Sequence, residues 1–170
     1  TGTQVLNGNN TFTGTDGVLA GTLLLNGSNT PSLITVFANA TLGGVGTING
    51  PVTVNNGGIL SPGTNSAGTL TINGNLTGNS PIYNFSLSSS PTGANDLINM
   101  NSNGTLAMSG PQMFKFNLTD NALGAGTYNL IQGANNSTAS SVTLTNNLLA
   151  PTRQSIVMFR PSAGSHPSYI

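Results

Sequence analysis

Cysteine is absent from these 170 residues, and charge nearly so. The missing cysteine removes disulfides, thiolate metal sites and cysteine nucleophiles together. Only 4% of the residues are charged and the net charge is zero, where an ordinary soluble domain carries roughly 25% charged residues. No basic face exists to neutralise phosphates, so nucleic acid is excluded as a partner. No polybasic stretch suits an anionic membrane surface, and no apolar run is long enough to insert as a helix. The start, "TGTQVLNGNN", has neither the basic nor the apolar region of a signal peptide, which leads us to expect a mature product or a piece of something longer. One His and three scattered Asp cannot build a zinc or calcium cage, so no metal is expected. The Gly-rich "GGVG" and "GANNSTASS" lack the Lys of a phosphate-binding loop, so no cofactor is expected either.

What the chain has is a 36% hydrophobic fraction dealt out in short regular runs. That argues for folding, although the remainder is polar and low in complexity. Gly numbers 23 and Pro 9, and β-branched residues fill the apolar runs, which leaves helix little foothold. Strand-like segments recur at Thr3–Leu6, Thr22–Leu25, Leu33–Phe37, Gly46–Ile48, Val52–Val54 and Thr69–Ile72. Corner words follow some of them: "LNG" at Asn7-Gly8 and Asn26-Gly27, "ING" at Asn49-Gly50 and Asn73-Gly74. Asn to Asn, the intervals are 19, 23 and 24 residues. Asn-Gly is also a hairpin signal, but a hairpin meander turns every 8–12 residues or so. The longer interval favours a solenoid, whose units bury their apolar side by stacking on neighbours. Asn and Gly tolerate the left-handed backbone of a sharp corner. Asn7, Asn26, Asn49 and Asn73 are therefore candidates for an amide ladder from coil to coil, the alternative being that they fill turns.

Near Pro81 the texture changes. Tyr83, Phe85, Phe114, Phe116, Tyr128, Phe159 and Tyr169 all follow it, and strands lengthen at Ile82–Leu87, Met113–Leu118, Thr127–Ile131, Ser141–Thr145 and Ser155–Phe159. The expected organisation is regular coils over 1–80, a continuation or cap with longer strands over 81–160, and an extended arm over 161–170. No Pro- or Ser-rich linker separates two cores.

Several stretches resemble a known repeat. They are "GTQVLNGNNTFTG" (Gly2–Gly14), "LAGTLLLNGSN" (Leu19–Asn29), "ATLGGVGTINGPVTVNNGGILSPGTNSAGTLTINGNLT" (Ala40–Thr77) and "GANDLINMNSNGTLAMSG" (Gly93–Gly110). Together they are similar to the autotransporter-associated β-strand repeat, also called the passenger-associated transport repeat. "LSPGTNSAGTLTI" (Leu60–Ile72) is similar to that family's L-x-P-G-x-S-x-G-T-L signature with Thr64 extra, and Asn95-Asp96-Leu97 to its Tyr-Asp-x-Leu word with Asn for Tyr. The resemblance implies an all-β fold, a right-handed parallel β-helix; the longer aromatic strands after Pro81 are read as a broader β-layer in its C-terminal half. It also implies an extracellular, surface-displayed bacterial protein, and it carries over no catalytic residues.

Enzymatic chemistry has few residues to draw on. Glycoside hydrolysis needs two carboxyl groups ~5–9.5 Å apart, and only Asp16, Asp96 and Asp120 are present, each beside a turn. A Ser-His-Asp triad would need His166, the only histidine, in the aperiodic tail, where nothing fixes a base. Asn-x-Ser/Thr triplets such as those at Asn26, Asn75 and Asn84 arise readily in so polar a chain. No catalytic, cofactor or metal residue is assigned.

The expected role is structural. Thr1–Gly14 carries no charge, so the first coil reads as uncapped and its edge as open to another copy. Head-to-tail stacking of this kind gives an open homopolymer. Thr3, Val5 and Leu6 on that edge, with Tyr169 and Ile170 donated from the arm, are the assembly candidates. The alternative is an adhesive passenger segment whose Thr/Asn/Ser faces bind glycans or other cells.

Overall fold

A computed structural model describes residues 2–101, 104–120, 122–135, 142–146 and 156–158, the last two as backbone. Strands account for every regular element among these residues. The first turn of the chain is β1 (Thr3–Leu6), β2 (Asn9–Asn10) and β3 (Asp16–Val18). The second is β4 (Gly21–Leu25), β5 (Ser28–Asn29) and β6 (Ile34–Val36); the third is β7 (Ala40–Gly44), β8 (Thr47–Ile48) and β9 (Val52–Val54). The fourth comprises β10 (Ile59–Pro62), β11 (Thr69–Ile72) and β12 (Leu76–Asn79), and the fifth β13 (Ile82–Leu87), β14 (Leu97–Asn99) and β15 (Leu106–Ser109). The sixth begins with β16 (Met113–Leu118) and β17 (Gly126–Gln132).

Each strand pairs in parallel with its counterpart one turn on. The result is three stacked sheets with orders β1-β4-β7-β10-β13-β16, β2-β5-β8-β11-β14-β17 and β3-β6-β9-β12-β15. This is a right-handed parallel β-helix, the hand that parallel crossovers require. Hairpins do not form at Asn49-Gly50 or Asn73-Gly74; both dipeptides are corners of the coil. The regular winding stops at β17. There β18 (Val142–Asn146) and β19 (Ile156–Met158) extend the second sheet antiparallel.

The core follows from the two-residue period of a strand combined with the register between turns. Leu42, Leu60 and Tyr83 share one inward column of the first sheet, and Ile34, Val52, Leu76 and Leu106 one of the third. All of these are buried. Rungs widen in the C-terminal half, where β13 and β16 reach six residues and β17 seven. A wider cross-section needs bulkier filling, and aromatic rings supply it. Phe114 stacks on Tyr83 with centroids 5.0 Å apart and lies 6.4 Å from Phe85.

Candidate functional site

The sheets meet at three corners per turn. Asn7 and Asn26 follow β1 and β4 at the first corner, between the first and second sheets. Asn49 and Asn73 follow β8 and β11 at the second, between the second and third. The four amides are therefore brought together two and two. Asn26 Nδ2 donates to Asn7 Oδ1 at 3.0 Å, 19 residues away. Asn73 Nδ2 donates to Asn49 Oδ1 at 2.8 Å, 24 residues away, and Asn101 Nδ2 reaches Asn73 Oδ1 at 3.4 Å. The 23-residue step from Asn26 to Asn49 crosses a corner and relates no stacked pair. The first row ends where Val45 takes the asparagine position and offers its backbone N–H to Asn26 Oδ1 at 3.4 Å.

The glycines after these asparagines form two matching columns. A Cβ on Gly27 would lie 2.0 Å from the Gly8 carbonyl oxygen, and one on Gly46 would lie 2.1 Å from that of Gly27. At the second corner, a Cβ on Gly50 would lie 1.9 Å from Ser32 O, on Gly74 2.4 Å from Gly50 O, and on Gly104 1.9 Å from Gly74 O. None of Asn7, Asn26, Asn49, Asn73, Gly8, Gly27, Gly50 or Gly74 has a positive φ. The expected left-handed corner is thus corrected. Glycine is required because backbones of successive turns touch there; of the left-handed non-glycines, Asn39 and Ser80 lie elsewhere, and only Asn101, which continues the Asn49–Asn73 row, takes that conformation at the corner.

The acidic residues serve the backbone. The first corner lengthens in later turns, and its loops carry Asp96 and Asp120. On its β10 side, β13 outruns its partner: β10 pairs only Ile59 and Leu60 with Ile82 and Tyr83. The N–H groups left over are met by side chains. Ser86 N–H donates to Asp96 Oδ2 at 2.6 Å and Ser88 N–H to Asn95 Oδ1 at 2.8 Å. Asp96 N–H in turn donates to Ser86 O at 2.9 Å, while Asp96 Oδ1 accepts from Gly68 N–H at 2.8 Å. Asn95-Asp96 thus stands in for the missing end of β10. Burial pushes the Asp96 carboxyl above the ordinary carboxylate range, against the lowering pull of the Ser86 and Gly68 N–H groups. Asp120 is exposed, and its Oδ2 accepts from Ser89 N–H at 2.8 Å, which holds that carboxyl below the usual range.

Asp96 and Asp120 are therefore engaged as acceptors for main-chain N–H groups of stacked loops. Asp16 sits on β3 and accepts from Ser32 Oγ at 3.3 Å. Among the described residues no three His, Cys, Asp or Glu side chains gather as metal ligands. Neither an open cleft of about 610 Å³ at Gly2, Gln4, Leu19 and Leu23 nor a smaller one of about 180 Å³ at Thr92, Asn95 and Asn129 is lined by a titratable side chain. Thr3, Val5 and Leu6 lie on β1, with Val5 41% exposed. Tyr169, Ile170 and His166 lie outside the described residues.

Uncharged polar rows cover the outside. Asn9, Ser28, Thr47, Thr71, Asn99 and Gln132 follow one another in register down the second sheet. Thr3, Thr22 and Thr41 do so on the first sheet, and Thr35, Thr53 and Thr77 on the third. Sequence reading found the threonines but not their rows, because a row is set by register and the turns differ in length.

No family model matches the chain. Over 64 residues it is 47% identical to the Adhesin BmaC autotransporter of Brucella suis biovar 1 (strain 1330). The match takes in 36% of this chain and 2% of that protein, so the chain spans a small fraction of its relative's length.

Proposed function

We propose that this chain is a non-enzymatic shaft segment of a bacterial surface adhesin of the autotransporter-passenger type, built from autotransporter-associated β-strand repeats and displayed outside the cell. The observation that carries the reading is the 47% identity over 64 residues with an adhesin autotransporter. The geometry supports it. A parallel coil is a stiff rod that places one hydroxyl or amide of the Asn9–Gln132 row every ~4.8 Å. Individually weak contacts from such a row to glycans or a neighbouring cell surface multiply along its length. Near-zero charge suits close approach to a hydrated polar surface, since few ions need desolvating.

Negative-stain microscopy with a glycan and whole-cell binding assay tests the proposal. Single rods that bind cells or sugars are expected, with binding reduced by lysines in the row, Thr47→Lys with Thr71→Lys. Regular filaments of uniform width, with no binding, would replace this reading by the head-to-tail fibre.

A further inference from the structure

Three inward columns, one in each sheet, become polar toward the first turn. In the first sheet Gln4 pairs with Leu23 and Leu23 with Leu42. In the second, Asn10 pairs with Asn29, and Ile48 follows one turn on. In the third, Asp16 pairs with Ile34 and Ile34 with Val52. Leu42, Ile48 and Val52 are fully buried, whereas the first-turn members of the same columns are an amide, an amide and a carboxylate. The first turn runs to Val18, beyond the uncharged Thr1–Gly14 stretch, and so it includes a charge.

These polar groups are held in place. Asn10 Nδ2 donates to the Gly8 and Ser28 carbonyls, both at 3.0 Å. Asn29, only 1% exposed, donates from Nδ2 to Ser32 Oγ at 3.5 Å and accepts Asn49 N–H at 2.9 Å on Oδ1. Ser32, 5% exposed, donates a hydrogen bond from its hydroxyl to Asp16 Oδ2 at 3.3 Å. The run Asn29–Ser32–Asp16 crosses from the second sheet to the third over the end of the apolar columns.

We infer that the polar residues of β1, β2 and β3 make this edge a poor stacking surface for a second copy of the chain. A rung laid on it would bury the Asp16 carboxylate and the Gln4 and Asn10 amides against apolar side chains. Asn29 shows that an amide of this column can be buried with its hydrogen bonds made, but taking the Asp16 carboxylate and the Gln4 amide out of water against apolar side chains costs more than a few strand hydrogen bonds return. Inward-pointing charge is a known means of keeping a sheet edge single. Leu6 and Val18, the apolar inward residues of the first turn, give that turn its grip on Leu25 and Val36. The inference stands on column identity alone and does not depend on the adhesin reading.

The test compares the unaltered 170-residue chain with a variant that restores the columns, Gln4→Leu with Asn10→Ile and Asp16→Val. Self-association is measured by sedimentation over a concentration series, with circular dichroism to establish that both are folded. Association at least tenfold tighter in the variant is the expected result. If the triple variant does not fold, Asp16→Asn alone, which removes the charge and keeps the shape, is expected to tighten association in the same direction. Equal association of the folded variant and the unaltered chain would overturn the inference. So would an unaltered chain that assembles and is dispersed by Gln4→Glu, since that edge would then be the interface.

Discussion

At the scale of single residues, an acidic group in this chain acts mainly as a hydrogen-bond acceptor for backbone. Asp96 replaces the end of a strand with one carboxylate that meets two N–H groups, and Asp120 repeats the device one turn on with a single N–H. Asp96→Asn keeps the shape but turns one acceptor into a donor that faces an N–H. Leaving such a buried group unpaired costs about 1–3 kcal/mol, which urea denaturation measures directly. The two carboxyls have opposite linkage to pH. Asp96 titrates above the ordinary carboxylate value of 3.8 because burial disfavours its charge. Its contribution to stability is therefore present below that value and lost as pH rises through the elevated folded value. Asp120 titrates below 3.8, so its contribution is present above 3.8 and lost as pH falls through the depressed folded value. Carbonyl-carbon NMR is expected to show the two midpoints on opposite sides of 3.8; coincident midpoints would contradict both placements.

At the scale of elements, the corners set the spacing of the coil, and glycine sets the corners. Gly27→Ala would drive a methyl group into the Gly8 carbonyl at 2.0 Å, whereas Gly8→Ala meets nothing within 4 Å. Overpacking of the first kind costs about 1–3 kcal/mol or more, and an open surface site changes stability by no more than about 0.5 kcal/mol. Thermal unfolding of the two variants side by side is expected to separate them clearly, and equal melting points would contradict the glycine columns. The same elements show how far sequence reading carries. Strands with β-branched alternation, such as Val52–Val54 and Thr69–Ile72, are evident in the sequence. Asn9–Asn10, Ala40–Gly44 and Ile59–Pro62 are not. Two residues carry no period, "ATLGG" lacks strand propensity, and "ILSP" ends on a residue that cannot donate to a ladder. They are strands because their neighbours one turn away impose the pairing. The Asn-Gly words were likewise visible, but their division between two corners was not, because "LNG" and "ING" read alike wherever they fall on the coil.

At the scale of the whole molecule, stability is close to a sum of turn-to-turn interfaces, and those interfaces are unequal. The first turn contributes an exposed β1 and the polar Gln4, Asn10 and Asp16. The middle turns contribute fully buried Leu42, Ile48, Leu60, Leu70, Ile72 and Leu76. The wide fifth turn adds Tyr83, Phe85 and Leu87, again fully buried. An additive coil of this composition frays from its weak end before it unfolds as a whole. Native-state hydrogen exchange is expected to give the lowest protection in β1 to β3, a rise through β4 to β6, and a plateau over β7 to β14. Added salt should move that profile little, since three acidic and three basic side chains leave few charge pairs to screen. The shape of the profile decides between two descriptions. A gradient means that each turn is stabilised chiefly by its neighbours, and that the polar first turn opens and closes on its own. Uniform protection from β1 onward would mean instead that the amide rows and glycine columns bind all turns into one cooperative unit.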